Sequence, residues 1–125
     1  MQKVTSSALY DADLCPVRHV LDGIGDKWTI LVVTGLKSHD LRFSELKRQI
    51  PDISQRMLTQ TLRNLERDGL VSRRVTPSIP PRVDYALTDL GRSLTDQLAP
   101  LAKWALANLP QIANARRSFD ARAPL

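Results

Sequence analysis

The chain has 125 residues, 42% of them hydrophobic and 25% charged, which suits one domain with a modest core and excludes a disordered chain. Eighteen Lys and Arg against thirteen Asp and Glu leave a net charge of +5, which favours a polyanionic partner. A single cysteine rules out an intrachain disulfide, and with two separated histidines it makes no metal site, so neither metal nor cofactor is expected.

No apolar run approaches the roughly 18–20 residues of a membrane span, and the start MQKVTSSALYDADL has no apolar core like that of a signal peptide. A cytoplasmic protein with no membrane partner is expected. Residues 1–13 are polar and aperiodic and read as a mobile N-terminal arm. The domain is expected over 14–109, with a C-terminal tail over 110–125.

After Pro16, Val17, Val20, Leu21 and Ile24 recur at helical spacing until Gly23 and Gly25 interrupt them, so a short helix starts with Cys15 as its N-cap. Asp26 offers the N-cap of a second helix, whose Trp28, Ile30, Leu31, Val32, Val33 and Leu36 make it apolar on nearly every side. Such a helix belongs at the centre of the core. Gly35 and the polar KSHD mark a turn, and LRF at 41–43 suffices only for a minimal strand.

SELKRQI, from Ser44, sets Leu46 and Ile50 on one helical face before Pro51-Asp52 breaks it. A longer helix, SQRMLTQTLRNLERDG, runs from Ser54 to a stop at Gly69. A short helix, a turn of about four residues and a long helix are the outline of a helix-turn-helix. The period then changes to two: Val71, Arg73 and Val75 alternate with Ser72, Arg74 and Thr76, and Val83, Tyr85 and Leu87 alternate with Arg82, Asp84 and Ala86. The intervening PSIPP cannot continue a ladder, so two strands form a hairpin around it. A hairpin directly after a recognition helix defines a winged helix. The fold class is therefore mainly α with a small β-wing.

Thr88 caps the last element, in which Leu90, Leu94, Leu98, Leu101, Ala105 and Leu109 recur every three to four residues. Pro100 inside this run is expected to kink it or divide it in two. Little domain remains to cover so long a stripe, so it is expected to pack on its copy in a homodimer.

On the long middle helix, Arg56, Gln60, Arg63 and Arg67 fall at about 0, 40, −20 and 20°, while Leu58, Leu62 and Leu65 gather near 180–240°. One face is cationic and amide-bearing. Arginine pairs with guanine, glutamine with adenine, and threonine touches the thymine methyl in the major groove. Only the first turns of a recognition helix reach base edges. Gln55, Arg56, Thr59 and Gln60 are thus assigned to bases or nearby phosphates, Arg63 and Arg67 mainly to phosphates, and Ser54 is counted with them among the DNA-binding residues. For Arg73, Arg74 and Arg82 on the hairpin, two readings stand: phosphate or minor-groove contact, or cross-strand pairing with Asp84. Lys47, Arg48 and Arg42 are candidates for clamping the DNA backbone.

The stretches CPVRHVLDGIGDKWTILVVTGL, RFSELKRQIPDISQRMLTQTLRNLERDGLVSR and PPRVDYALTDLGRSL resemble the HxlR-type winged-helix regulators of bacteria, distant relatives of the MarR group, over roughly residues 14–107. The resemblance implies a homodimeric, non-enzymatic transcriptional regulator, joined through its N- and C-terminal helices, that binds a palindromic double-stranded DNA operator. It also implies a sensor position at Cys15, where relatives answer oxidants or electrophiles, so a small-molecule or oxidant effector is the further partner. No second cysteine is present for an unlike pairing, which leaves a Cys15 to Cys15 crosslink, a mixed disulfide or an adduct. The rival readings are a winged helix that serves protein assembly, and an enzyme whose only foothold is Cys15 with His19.

Overall fold

The computed structural model describes residues 21, 22 and 24–122. The expected N-terminal arm, the helix start at Pro16 and the sensor position Cys15 lie outside these residues. Leu21, Asp22 and Ile24 are helical, and the Gly25 N–H donates to the Leu21 carbonyl at 2.8 Å. The elements that follow are α1 (Lys27–Gly35), α2 (Phe43–Gln49), α3 (Gln55–Arg67), β1 (Val71–Thr76), β2 (Arg82–Leu87) and α4 (Asp89–Asp120).

Each helix starts where a side chain can satisfy its free N–H groups. The Asp26 carboxylate accepts from Trp28 N–H at 2.7 Å, Ser54 Oγ from Met57 N–H at 3.0 Å, and Thr88 Oγ1 from Gly91 N–H at 3.1 Å. At α2 the Glu45 carboxylate reaches back to the Arg42 N–H at 2.8 Å. That hydrogen bond, with the Arg42 and Arg48 charges nearby, holds the Glu45 carboxyl below its ordinary value. Helix α3 ends in a Schellman motif, with Gly69 at φ 76° while Gly69 N–H donates to Glu66 and Leu70 N–H to Leu65. Glycine adopts this left-handed conformation without the strain a Cβ brings.

Helices α1 to α3 enclose one core. Val32, Val33, Leu46 and Leu58 are fully buried, and Leu36, Ile53 and Leu62 are 1% exposed. Trp28 packs at the edge of this cluster, and Leu31 is exposed on the far side of α1. The helix therefore buries one face rather than its whole circumference.

The two strands pair antiparallel, with Val71 opposite Leu87, Arg73 opposite Tyr85 and Val75 opposite Val83. Burial fades outward along this face: Val71 and Leu87 are buried, Tyr85 and Val83 half-buried and Val75 exposed. Of the LRF segment only Leu41 extends the sheet, exchanging two backbone hydrogen bonds with Tyr85 at 2.8 and 3.0 Å. Phe43 already belongs to α2, because Glu45 caps the helix from its third residue.

Helix α4 runs longer than its leucine stripe. Pro100 does not divide it, and the segment from 110 onward, expected as a tail, is helical to Asp120 with Pro110 inside. Each proline removes one backbone hydrogen bond, while the remaining ladder and good helix formers such as Ala113, Ala115, Arg116 and Arg117 carry the helix on. Among the described residues no helix is long and apolar enough to cross a membrane.

Candidate nucleic-acid interface

The polar face of α3 stands away from the core as its spacing predicts. Gln55, Arg56, Thr59, Gln60, Arg63, Asn64 and Arg67 are all exposed, while Leu58, Thr61, Leu62 and Leu65 are buried. The burial of one face fixes the aim of the other. Thr59 Oγ1 donates to the Gln55 carbonyl at 2.9 Å, and Gln60 Nε2 donates to Asn64 Oδ1 at 3.0 Å. Gln60 is thereby held along the helix axis, with its carbonyl oxygen and second N–H still available. Ser54 divides its function: its oxygen caps the helix and its hydroxyl proton is left to donate outward.

A cleft of 360 Å³ separates α3 from the wing. Its floor is Phe43, Leu62 and Tyr85, and its rim carries Thr59, Arg63, Glu66 and Arg73. Among the described residues neither arginine has a carboxylate partner within 4.0 Å. Two shallower hollows continue along α3, one lined by Gln55, Arg56, Thr59, Gln60 and Arg63, the other by Gln60, Arg63, Asn64, Glu66 and Arg67. Arg63 borders all three. Glu66, Phe43 and Tyr85 escaped the sequence reading; the pairing of Tyr85 with Arg73 across the hairpin was the available signal for one of them.

The remaining cations divide by what they already hold. Arg82 Nε lies 3.2 Å from both oxygens of Asp84, a carboxylate 7% exposed. This pair runs along β2; Arg74, the residue facing Asp84 across the hairpin, makes no ion pair among the described residues. Lys47 Nζ donates to the Pro51 carbonyl at 3.2 Å, fastening the end of α2 to the turn before α3. Arg42 sits 3.5 Å from Glu45. Arg48, Arg56, Arg67, Arg73 and Arg74 are exposed and engaged in no ion pair among the described residues.

A model of the HxlR-like helix-turn-helix family matches residues 23–113. An uncharacterized HTH-type transcriptional regulator of Methanothermobacter thermautotrophicus is 51% identical over 94 residues, 75% of this chain and 72% of its own. Among solved structures, the ytfH protein of Salmonella typhimurium, assigned as a transcriptional regulator, superposes with a TM-score of 0.77 at 40% identity, covering 85% of this chain and 95% of that one. The redox regulator HypR in its reduced form superposes at 0.74 with 39% identity, covering 79% and 98%. Fold, exposed recognition face and these likenesses agree: the chain belongs to the HxlR-like helix-turn-helix family of transcriptional regulators.

Proposed function

We propose that the protein is a sequence-specific regulator that binds a palindromic operator as a homodimer. The recognition helix α3 lies in the major groove and the wing follows the adjacent backbone. The observation that carries this reading is the segregation of α3, with Arg56, Gln60, Arg63 and Arg67 exposed opposite buried leucines. Gln55, Arg56, Thr59 and Gln60, with Ser54 beside them, read bases or neighbouring phosphates. Arg63 and Arg73 line the cleft between α3 and the wing and would hold one sugar-phosphate strand there, and Arg67, Arg74 and Arg48 add phosphate contacts. Lys47 and Arg82 join them only by giving up part of their present bonds.

The dimer reading rests on α4. Leu94 and Leu98 pack against the core, but beyond Pro100 the same stripe leaves the domain, and Leu101, Trp104 and Leu109 are 55–57% exposed. A row of large apolar groups on a regular helix fits a second copy of itself.

A fluorescence anisotropy titration of a duplex operator over a salt series tests the DNA reading. Binding that weakens steeply as salt rises is expected, since each neutralised phosphate releases counterions. Salt-independent binding, or none, would favour protein assembly instead.

The likeness to HypR, a redox regulator, supports a second layer to this reading, in which Cys15 senses an oxidant. Two Cys15 thiols, one per protomer, lose two electrons and two protons to the oxidant and form one disulfide; a low-molecular-weight thiol can take the place of the second. Operator binding by the parent is expected to change with diamide, and the Cys15→Ser variant to be indifferent. Equal sensitivity in both would make Cys15 structural.

A further inference from the structure

The C-terminal end of the recognition helix and the N-terminal end of the dimer helix meet at one small joint. Gly69 and Leu70 follow the end of α3, and Thr88, nineteen residues after Gly69, caps α4, whose first turn holds Gly91. Thr88 Oγ1 donates to the Gly69 carbonyl at 2.6 Å, the shortest hydrogen bond at this place, and Thr88 N–H donates to the Leu70 carbonyl at 3.1 Å. The same hydroxyl oxygen accepts from Gly91 N–H and caps α4. Gly91 is buried, and a Cβ built on it would overlap the Leu70 carbonyl oxygen and lie 3.0 Å from Leu87 Cδ2. Two backbones thus approach as closely as only glycine permits, and one hydroxyl bonds to both.

We infer that Thr88 and Gly91 are positioning residues that set the angle between α3 and α4, and through it the spacing of the two half-sites the dimer can read. They touch no DNA themselves. This inference rests on the operator and dimer reading given above. Its physical content is leverage: α3 is about 20 Å long at 1.5 Å per residue, so a tilt of about 10° at the joint moves its first turn by about 3.5 Å. That is close to the rise of one base pair, about 3.4 Å. In a dimer held through α4, the tilt acts on both recognition helices at once, with their centres about one helical turn of DNA apart.

Three variants separate a joint from a mere helix cap. Thr88→Ser keeps both hydroxyl bonds. Thr88→Asp keeps the cap, because a carboxylate accepts from Gly91 N–H, but has no proton for the Gly69 carbonyl. Gly91→Ala keeps Thr88 and forces Leu70 away. Each is titrated against duplexes in which the operator half-sites are moved together or apart by one base pair, beside a single half-site duplex and a thermal melt.

The parent is expected to prefer its own spacing by about tenfold over either neighbour, as geometric docking of two half-sites requires. Thr88→Ser is expected to match it. Thr88→Asp and Gly91→Ala are expected to flatten or shift the spacing profile while affinity for the single half-site stays within about twofold, since α3 keeps its DNA-facing side chains. Should Gly91→Ala fail to fold, Thr88→Asp alone decides. A parental profile in a folded Thr88→Asp variant overturns the joint and leaves the DNA reading standing. A parent that binds no operator at all overturns both.

Discussion

Arg56 and Arg73 carry the same charge on different supports, and replacing each separates the two kinds of DNA contact proposed for them. Arg56 stands in the first turn of α3 beside Gln55, Thr59 and Gln60, the turn proposed to read base edges; Arg73 stands on β1 at the rim of the cleft. Arg56→Ala is expected to cost about 1–3 kcal/mol of operator affinity and to relax sequence preference at one position. Arg73→Ala is expected to weaken all duplexes alike and to lower the slope of log affinity against log salt by about one. Anisotropy with operator and scrambled duplexes measures both. The polar face of α3 was legible in the sequence because 100° per residue is local geometry. The cleft floor of Phe43 and Tyr85 was not, because it depends on where two separate segments come to rest.

The wing shows how one element holds cations for different ends. Arg82 neutralises Asp84, whose carboxylate is nearly out of contact with water, so Arg82→Ala leaves that charge without its partner. Because the Arg82 side chain is itself 58% exposed, screening limits the loss to about 1 kcal/mol. Arg74→Ala is expected to shift stability by less than about 0.5 kcal/mol, as an exposed residue without a bonded partner should. Thermal melts of the two variants make the comparison. The caps at Asp26 and Thr88, the Gly69 stop and the change of period at Leu70 were readable, since each is a short-range requirement of backbone geometry. The length of α4 was not. Its leucines cease at Leu109, which ends the periodic signal, while Ala and Arg sustain a helix without supplying one.

At the scale of the molecule, α4 serves the core with its first turns and presents the rest outward. Trp104→Glu is expected to leave the monomer fold intact, since that ring is 57% exposed, and to convert a dimer into a monomer in light scattering at micromolar concentration. Operator affinity should then fall on the order of 10²-fold, because the two half-sites are no longer bound by one linked body. A Trp104→Glu variant that stays dimeric would move the interface elsewhere. The sheet poses a separate problem for the molecule when it is off DNA. With Leu41 bonded to one side of β2 and β1 to the other, the outer edge of β1 has no strand partner among the described residues. An open edge is a template for stacking against the same edge of another copy. The adjacent Arg73 and Arg74 place like charges on that edge, and the repulsion between copies resists such pairing. The arginines proposed to contact the operator are thus also placed to guard the wing against edge-to-edge association.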